Sequence, residues 1–290
     1  MARIWKNPAA RVSAILLAIV ALVSLIGPEV LPDSYAEPSA TTFAEPSWQH
    51  PFGTDLNGRD LLYRVLAGGR ISLLVGLCGA IVSLFIGTVY GLVAGYVGGR
   101  VDNVMMRIVD ILYSVPRLIF ILICINAFNA RFQEWATQMG WIELVTSSRI
   151  IILIVSLGVI EWLTLARIVR GQVLALKNRA FVTAAVALGQ SHTKILTRHL
   201  LPNLLGVVVI YLTLTIPSVI IDESFLSFLG LGVQSPMSSW GSLLSDGAGA
   251  LNPIRIRWWL VVFPAIAMAT TLLSLNILGD ALRDSLDPKR

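Results

Sequence analysis

Residues 71–97 read ISLLVGLCGAIVSLFIGTVYGLVAGYV, without one charged side chain. A helix needs roughly 20 mostly apolar residues to cross the hydrocarbon core of a bilayer, and this run is longer. In lipid the backbone polar groups of such a run must pair within one helix. Working outward, five further stretches have the same character: 12–31, ending near Glu29; 104–128, with Arg107, Asp110 and Arg117; 150–168, with Glu161; 204–231, with Asp222 and Glu223; and the uncharged 258–278. Composition agrees. Of 290 residues 56% are hydrophobic and 13% charged, and the mean hydropathy is +0.76. A soluble chain carries about a quarter charged residues. Disorder is excluded and a water-soluble enzyme is disfavoured. The expectation is an all-α, polytopic membrane protein with six transmembrane helices.

Arg3, Lys6 and Arg11 precede the first stretch, as in a signal peptide. The run is long for one and lacks a clear small-residue cleavage site, so an uncleaved anchor is expected. Cytoplasmic loops are enriched in Lys and Arg. With the N-terminus inside, Arg3, Lys6, Arg11, Arg100, Arg107, Arg167, Arg170, Lys177, Arg179, Lys194, Arg198, Arg283, Lys289 and Arg290 lie inside. Outside lie Arg59, Arg64, Arg70, Arg131, Arg149, Arg255 and Arg257, half as many and with no lysine. Both termini are therefore expected in the cytoplasm. Cys78 and Cys124 sit in apolar runs and read as small hydrophobes. His50, His192 and His199 show no metal-ligand spacing. No basic patch interleaves with aromatics outside the spans, so nucleic-acid binding is not expected.

Within the spans, Gly87, Gly91 and Gly95 recur every four residues, which leaves one flat face for close helix packing. Pro116, Pro217 and Pro264 each remove a backbone donor from a span and predict bending. Glu161, Asp222 and Glu223 would be costly facing lipid, about 2.5–3.5 kcal/mol at mid-membrane. They must pair, lie near an interface or line a wet path. Asp222 and Glu223 are adjacent, so on a helix they point about 100° apart and do not form a facing dyad.

The longest inside segment, 167–203, has six basic residues and no acid. Residues 180–188 read as a short helix, with Gly189 at its stop. Ser191 is placed to cap a second helix through Ile195 and Leu196 to His199, and Pro202 to break the pattern before the fifth span. Phe181, Val182, Val186, Leu188, Ile195 and Leu196 are too apolar to float in water and need a surface to pack on.

Thr183-Ala184-Ala185, Gly189 four residues on, and His199-Leu200-Leu201-Pro202-Asn203 together resemble the glutamate-alanine-alanine loop of ABC importer permeases. Pro51-Phe52-Gly53-Thr54-Asp55, Gly58-Arg59-Asp60 and Gly69-Arg70-Ile71-Ser72-Leu73 resemble the segment before the second span in dipeptide, oligopeptide and nickel permeases. So do Arg167-Ile168-Val169-Arg170, the run Glu223-Ser224-Phe225-Leu226-Ser227-Phe228-Leu229-Gly230-Leu231-Gly232, Ser239-Trp240-Gly241, and Gly279-Asp280-Ala281-Leu282-Arg283 to Asp287-Pro288. The pattern is similar to the "C" type, one of two non-identical permeases, and covers nearly the whole chain. Two departures stand out: Thr183 replaces the motif's leading glutamate, and Asp222 adds an acid beside Glu223.

The resemblance implies the type I importer permease fold in a bacterial or archaeal inner membrane. It implies residues 1–70 as tail, first span and extracytoplasmic loop, and 71–290 as a five-helix core with coupling loop 167–203. Phe181, Val182, Thr183, Ala184, Ala185, Leu188, Gly189, His199 and Pro202 would dock on an ATPase, with Glu161, Asp222 and Glu223 as pathway or structural charges. The implied partners are a homologous "B"-type permease, two ATP-binding subunits and an extracytoplasmic binding protein. No lysine follows a glycine, so the chain lacks a phosphate-binding loop. ATP and magnesium would sit on the partners, with no cofactor, metal or catalytic residue expected here. Peptide is the implied substrate; nickel would call for His or Cys along the path, and the spans hold only the two cysteines. An ion-coupled secondary transporter would show inverted repeats, which are not evident. A membrane enzyme would need a nucleophile and base at one depth.

Overall fold

The computed structural model describes residues 7–32, 35–235, 237–251 and 255–286. Arg3, Lys6, Pro288, Lys289, Arg290 and Asp287 lie outside the described residues. The chain divides into two compact units, one of Met1–Leu77 with Pro217–Arg290, the other of Cys78–Ile216. The elements are almost all helical: α1 (Pro8–Val30), α2 (Leu61–Val97), α3 (Gly99–Ser114), α4 (Arg117–Gln138), α5 (Ile142–Leu176), α6 (Ala180–Ala187), α7 (His192–Lys194), a π-helical stretch (Ile195–Leu200), α8 (Leu201–Phe228), α9 (Trp240–Gly249) and α10 (Trp259–Leu286). Among the described residues, five helices are long and apolar enough to cross a membrane, or six if the bent pair α3–α4 is one span.

In the first unit, Asn7 caps α1 by accepting from the Ala9 amide at 3.0 Å, and Pro8 opens the helix where its missing N–H costs nothing. Val12, Ile15, Ile19, Leu22, Leu25 and Ile26 remain exposed, an apolar face suited to lipid. α1 packs on α10, and α9 packs on α10 in turn. Ser239 starts α9 with a reciprocal capping box to Ser242. The core here is Leu61, Val65, Trp240, Leu243, Trp259 and Leu260.

α2 begins ten residues before the apolar run, because Asp60 accepts from the Tyr63 amide at 3.2 Å and caps it. Before it, the segment 51–60 folds into a tight knot. Asp55 accepts from the Asn57 and Arg59 amides at 2.8 and 2.9 Å, and pairs with the guanidinium groups of Arg59 and Arg64, both at 2.9 Å. Gly58 has φ +71°, and a Cβ there would lie 2.2 Å from the Ser39 carbonyl oxygen, so only glycine fits.

In the second unit the stretch 104–128 is not one continuous helix. Val115 is extended, Pro116 lacks the N–H to continue the ladder, and α3 and α4 diverge by 91°. Pro217 and Pro264, by contrast, lie inside uninterrupted helices. Pro202 also fails to break its helix. The preceding turns widen to π geometry, so the Leu201 amide reaches back to the Leu196 carbonyl and the proline ring is accommodated. Asn203 donates to the His199 carbonyl at 2.7 Å, covering an acceptor left over at this join.

Candidate functional site

Two places gather the residues singled out above, one in each unit. The first is the elbow between α5 and α8. α5 ends at Leu176, and the ammonium of Lys177, which follows it, donates to the Gly95 carbonyl at 3.0 Å. After a tight turn, α6 runs for eight residues and stops at Gly189, which holds φ +73°. Val182 and Ala185 are buried against Val169, Val173, Ile195, Leu200 and Leu204. The remaining face is open: Thr183 and Ala184 are exposed, Phe181 is 39% and Leu188 80% exposed. An exposed apolar surface of this kind on a short helix is unfavourable in water, and such patches are typical of interaction surfaces.

The corner is fixed by side chains. His199 Nε2 and Gln190 Oε1 are 2.8 Å apart, and Tyr96 and His192 share a 2.7 Å hydrogen bond with their rings edge-on. Ser191 stands at the start of α7 but its hydroxyl makes no capping bond. His199 therefore braces the elbow, and Pro202 lies exposed at its far end.

The elbow is tied to its unit through α5. Gly87, Gly91 and Gly95 are buried against it. A Cβ on Gly91 would lie 2.5 Å from the Ala166 carbonyl oxygen and 2.8 Å from the Val169 side chain. Arg170 clasps Asp102 with two bonds, 2.5 and 2.6 Å, and Arg167 pairs with Asp110 at 2.7 Å while stacking on Tyr113. The sequence does not pair Asp102 and Asp110, because their partners lie 68 and 57 residues away.

The second place is Glu223, wholly buried in the other unit. Ser227 donates to its carboxylate at 2.7 Å, Ser72 at 3.0 Å and Ser224 at 3.3 Å. Ser72 in turn accepts from the Trp240 amide at 3.2 Å, and Ser227 from the Val233 amide at 2.9 Å. Gly241 lies so close that a Cβ would meet the Ser224 carbonyl oxygen at 2.2 Å. Three sequence-distant motifs thus meet on one carboxylate. The neighbouring Asp222 is half-buried. Glu161 lies far along the chain, in the second unit, paired with Arg117.

Residues 87–290 match the family described as binding-protein-dependent transport system inner membrane component. The chain belongs to this family. It is 44% identical to the oligopeptide transport system permease protein OppC of Haemophilus influenzae, covering 99% of this chain and 86% of that one. It is 45% identical to the protein of the same name from Escherichia coli K12, over 99% and 89%. The dipeptide transport system permease protein DppC of Bacillus subtilis is 40% identical over 99% and 84%. Among solved structures, a chain of the MetNI methionine ABC transporter in inward-facing form matches at TM-score 0.54 and 18% identity, covering 78% of this chain and 98% of that chain. That likeness shows the fold. The inner membrane component described here is a multi-pass permease of the MetI-like, type I importer fold.

Proposed function

We propose that this permease forms half of the pathway of an ATP-driven peptide importer, loaded by an extracytoplasmic binding protein. The observation that carries the reading is the pairing of its relatives, permeases of oligopeptide and dipeptide transport systems, with an exposed apolar elbow at α6. In this reading the core is 71–290 and the coupling loop 167–203. Phe181, Thr183, Ala184 and Leu188 meet an ATPase subunit, while Val182, Ala185, Gly189, His199 and Pro202 hold that face in place. Two ATP-binding subunits and a "B"-type permease complete the assembly, ATP and magnesium stay on the ATPases, and this chain carries no catalytic residue. Both termini are cytoplasmic, following the bias of basic residues.

The cycle is a population shift between inward-open and outward-open forms. ATP drives it only through its differential affinity for the two. Thr183 in place of the motif glutamate removes a charge from the docking face, so docking rests on apolar burial. The test is to purify the complex, identify the co-eluting chains, and measure ATP hydrolysis with binding protein plus peptide or nickel. Stimulation by peptide, with two ATPase chains present, is expected; stimulation by nickel alone overturns the substrate. Ala184→Asp with Gly189→Trp should abolish ATP-dependent uptake. Uptake that survives that double change overturns the coupling assignment.

A further inference from the structure

A peptide with free ends is a zwitterion at neutral pH, its α-carboxyl titrating at about 3.3–3.7 and its α-amino group at about 7.7–8.0. Both charges must be compensated while it is out of water, since an unpaired buried charge is prohibitively costly. One place within the second unit offers both complements. The α3–α4 break borders a cavity of about 270 Å³ lined by Tyr113, Ser114, Pro116, Arg117, Glu161 and Thr164. Arg117 and Glu161 meet on its wall as an ion pair, the first side chain 41% exposed and the second 12%. Glu161 is midway along the apolar α5, where a carboxylate without a partner would be costly. The break itself supplies matching dipoles. α3 ends here, its Ile111 and Leu112 carbonyls taken by the Ser114 hydroxyl and the Val115 amide and its last carbonyls at the negative end of the helix, and α4 begins here without a side-chain cap.

We propose that this break is a transit site for the two charged ends of a peptide. Arg117 and the first turn of α4 take the carboxylate; Glu161 and the end of α3 take the ammonium. The inference rests on the peptide reading above and specifies where that substrate is recognised. The ion pair is the resting state of the site. Opening it to admit a dipeptide, whose two ends lie close enough to reach both groups together, exchanges one set of charge pairs for another. Irregular backbone at membrane depth is tolerated where it lines such a cavity. The side chains of the peptide take no part, which suits a pathway whose selectivity lies elsewhere.

The experiment uses the complete complex in liposomes, with binding protein saturated by each of three peptides: free at both ends, N-acetylated, or C-amidated. Glu161→Gln should lower the uptake ratio of free to N-acetylated peptide by about tenfold, and Arg117→Gln the ratio of free to amidated, the factor expected for one charge-assisted contact. The double Gln variant should lose both preferences. Equal losses for all three peptides, or a double variant that regains wild-type uptake of the free peptide, show a structural pair and overturn the proposal. If the wild-type complex takes up none of the three, the peptide reading itself has failed, and this site with it. Should a single variant not assemble, a photoreactive peptide on the wild-type complex decides. Labelling within 112–117 or 160–164 supports the site, and labelling confined elsewhere overturns it.

Discussion

Glu223 and Glu161 are two acids in apolar helices, solved in opposite ways. Glu223 is sealed: three serine hydroxyls donate to it, no cation is among those contacts, and no solvent reaches it. Glu161 is paired with a half-open arginine on a cavity wall. A carboxylate held by neutral donors from three sequence positions is a knot, because releasing it strands every donor at once. A carboxylate held by one exposed cation can exchange that partner for another. The lesson is that burial of a charge in a membrane protein does not by itself mark a pathway. The chemistry and accessibility of its partners do.

The comparison can be broken by substitution. Glu223→Ala should cost the most, about 3 kcal/mol or more, by leaving the hydroxyls unpaired around a void. Its check is the thermal stability and yield of the purified complex; a stable, abundant variant would dissolve the distinction. Ser227→Ala should cost about 1–2 kcal/mol, because that hydroxyl both donates to Glu223 and accepts from Val233. Glu161→Gln should shift stability by no more than about 1 kcal/mol, its arginine retaining access to water, while peptide uptake falls. A stability loss as large as that of Glu223→Ala would make Glu161 a second knot. Ser224→Ala, at 3.3 Å the longest of the contacts, should cost about 0.5 kcal/mol by denaturant or thermal titration.

Hydropathy made most of the helices legible, since lipid imposes length and composition on each crossing. Their ends were less so. The apolar count starts the second span at residue 71, yet Asp60 caps the helix earlier and Arg64 and Arg70 find Asp55 and Glu29 outside the apolar run. Pro116 and Pro202 look alike in the sequence. One breaks a helix by 91° and the other is absorbed by a π turn, a difference set by the neighbours that satisfy the freed groups. The glycine spacing at 87, 91 and 95 was visible, but that α5 fills the face was not. The letters around Glu223 could be read singly. Their meeting could not, because Ser72 and Glu223 are separated by 151 positions.

The widened turn at Ile195–Leu200 fixes more than a local detour. It inserts phase between the elbow and α8, as a skipped tooth does between two gears. Deleting one residue there would restore ordinary winding and swing everything upstream by about 100° around the helix axis. Val182 and Ala185 would then lose their register with Leu204 and Val208, which lie beyond the turn, while keeping Val169 and Val173, which move with them. The aim of the elbow is therefore set by a single residue's worth of slack, and a chain that changed its loop length at this point would have to re-aim its grip.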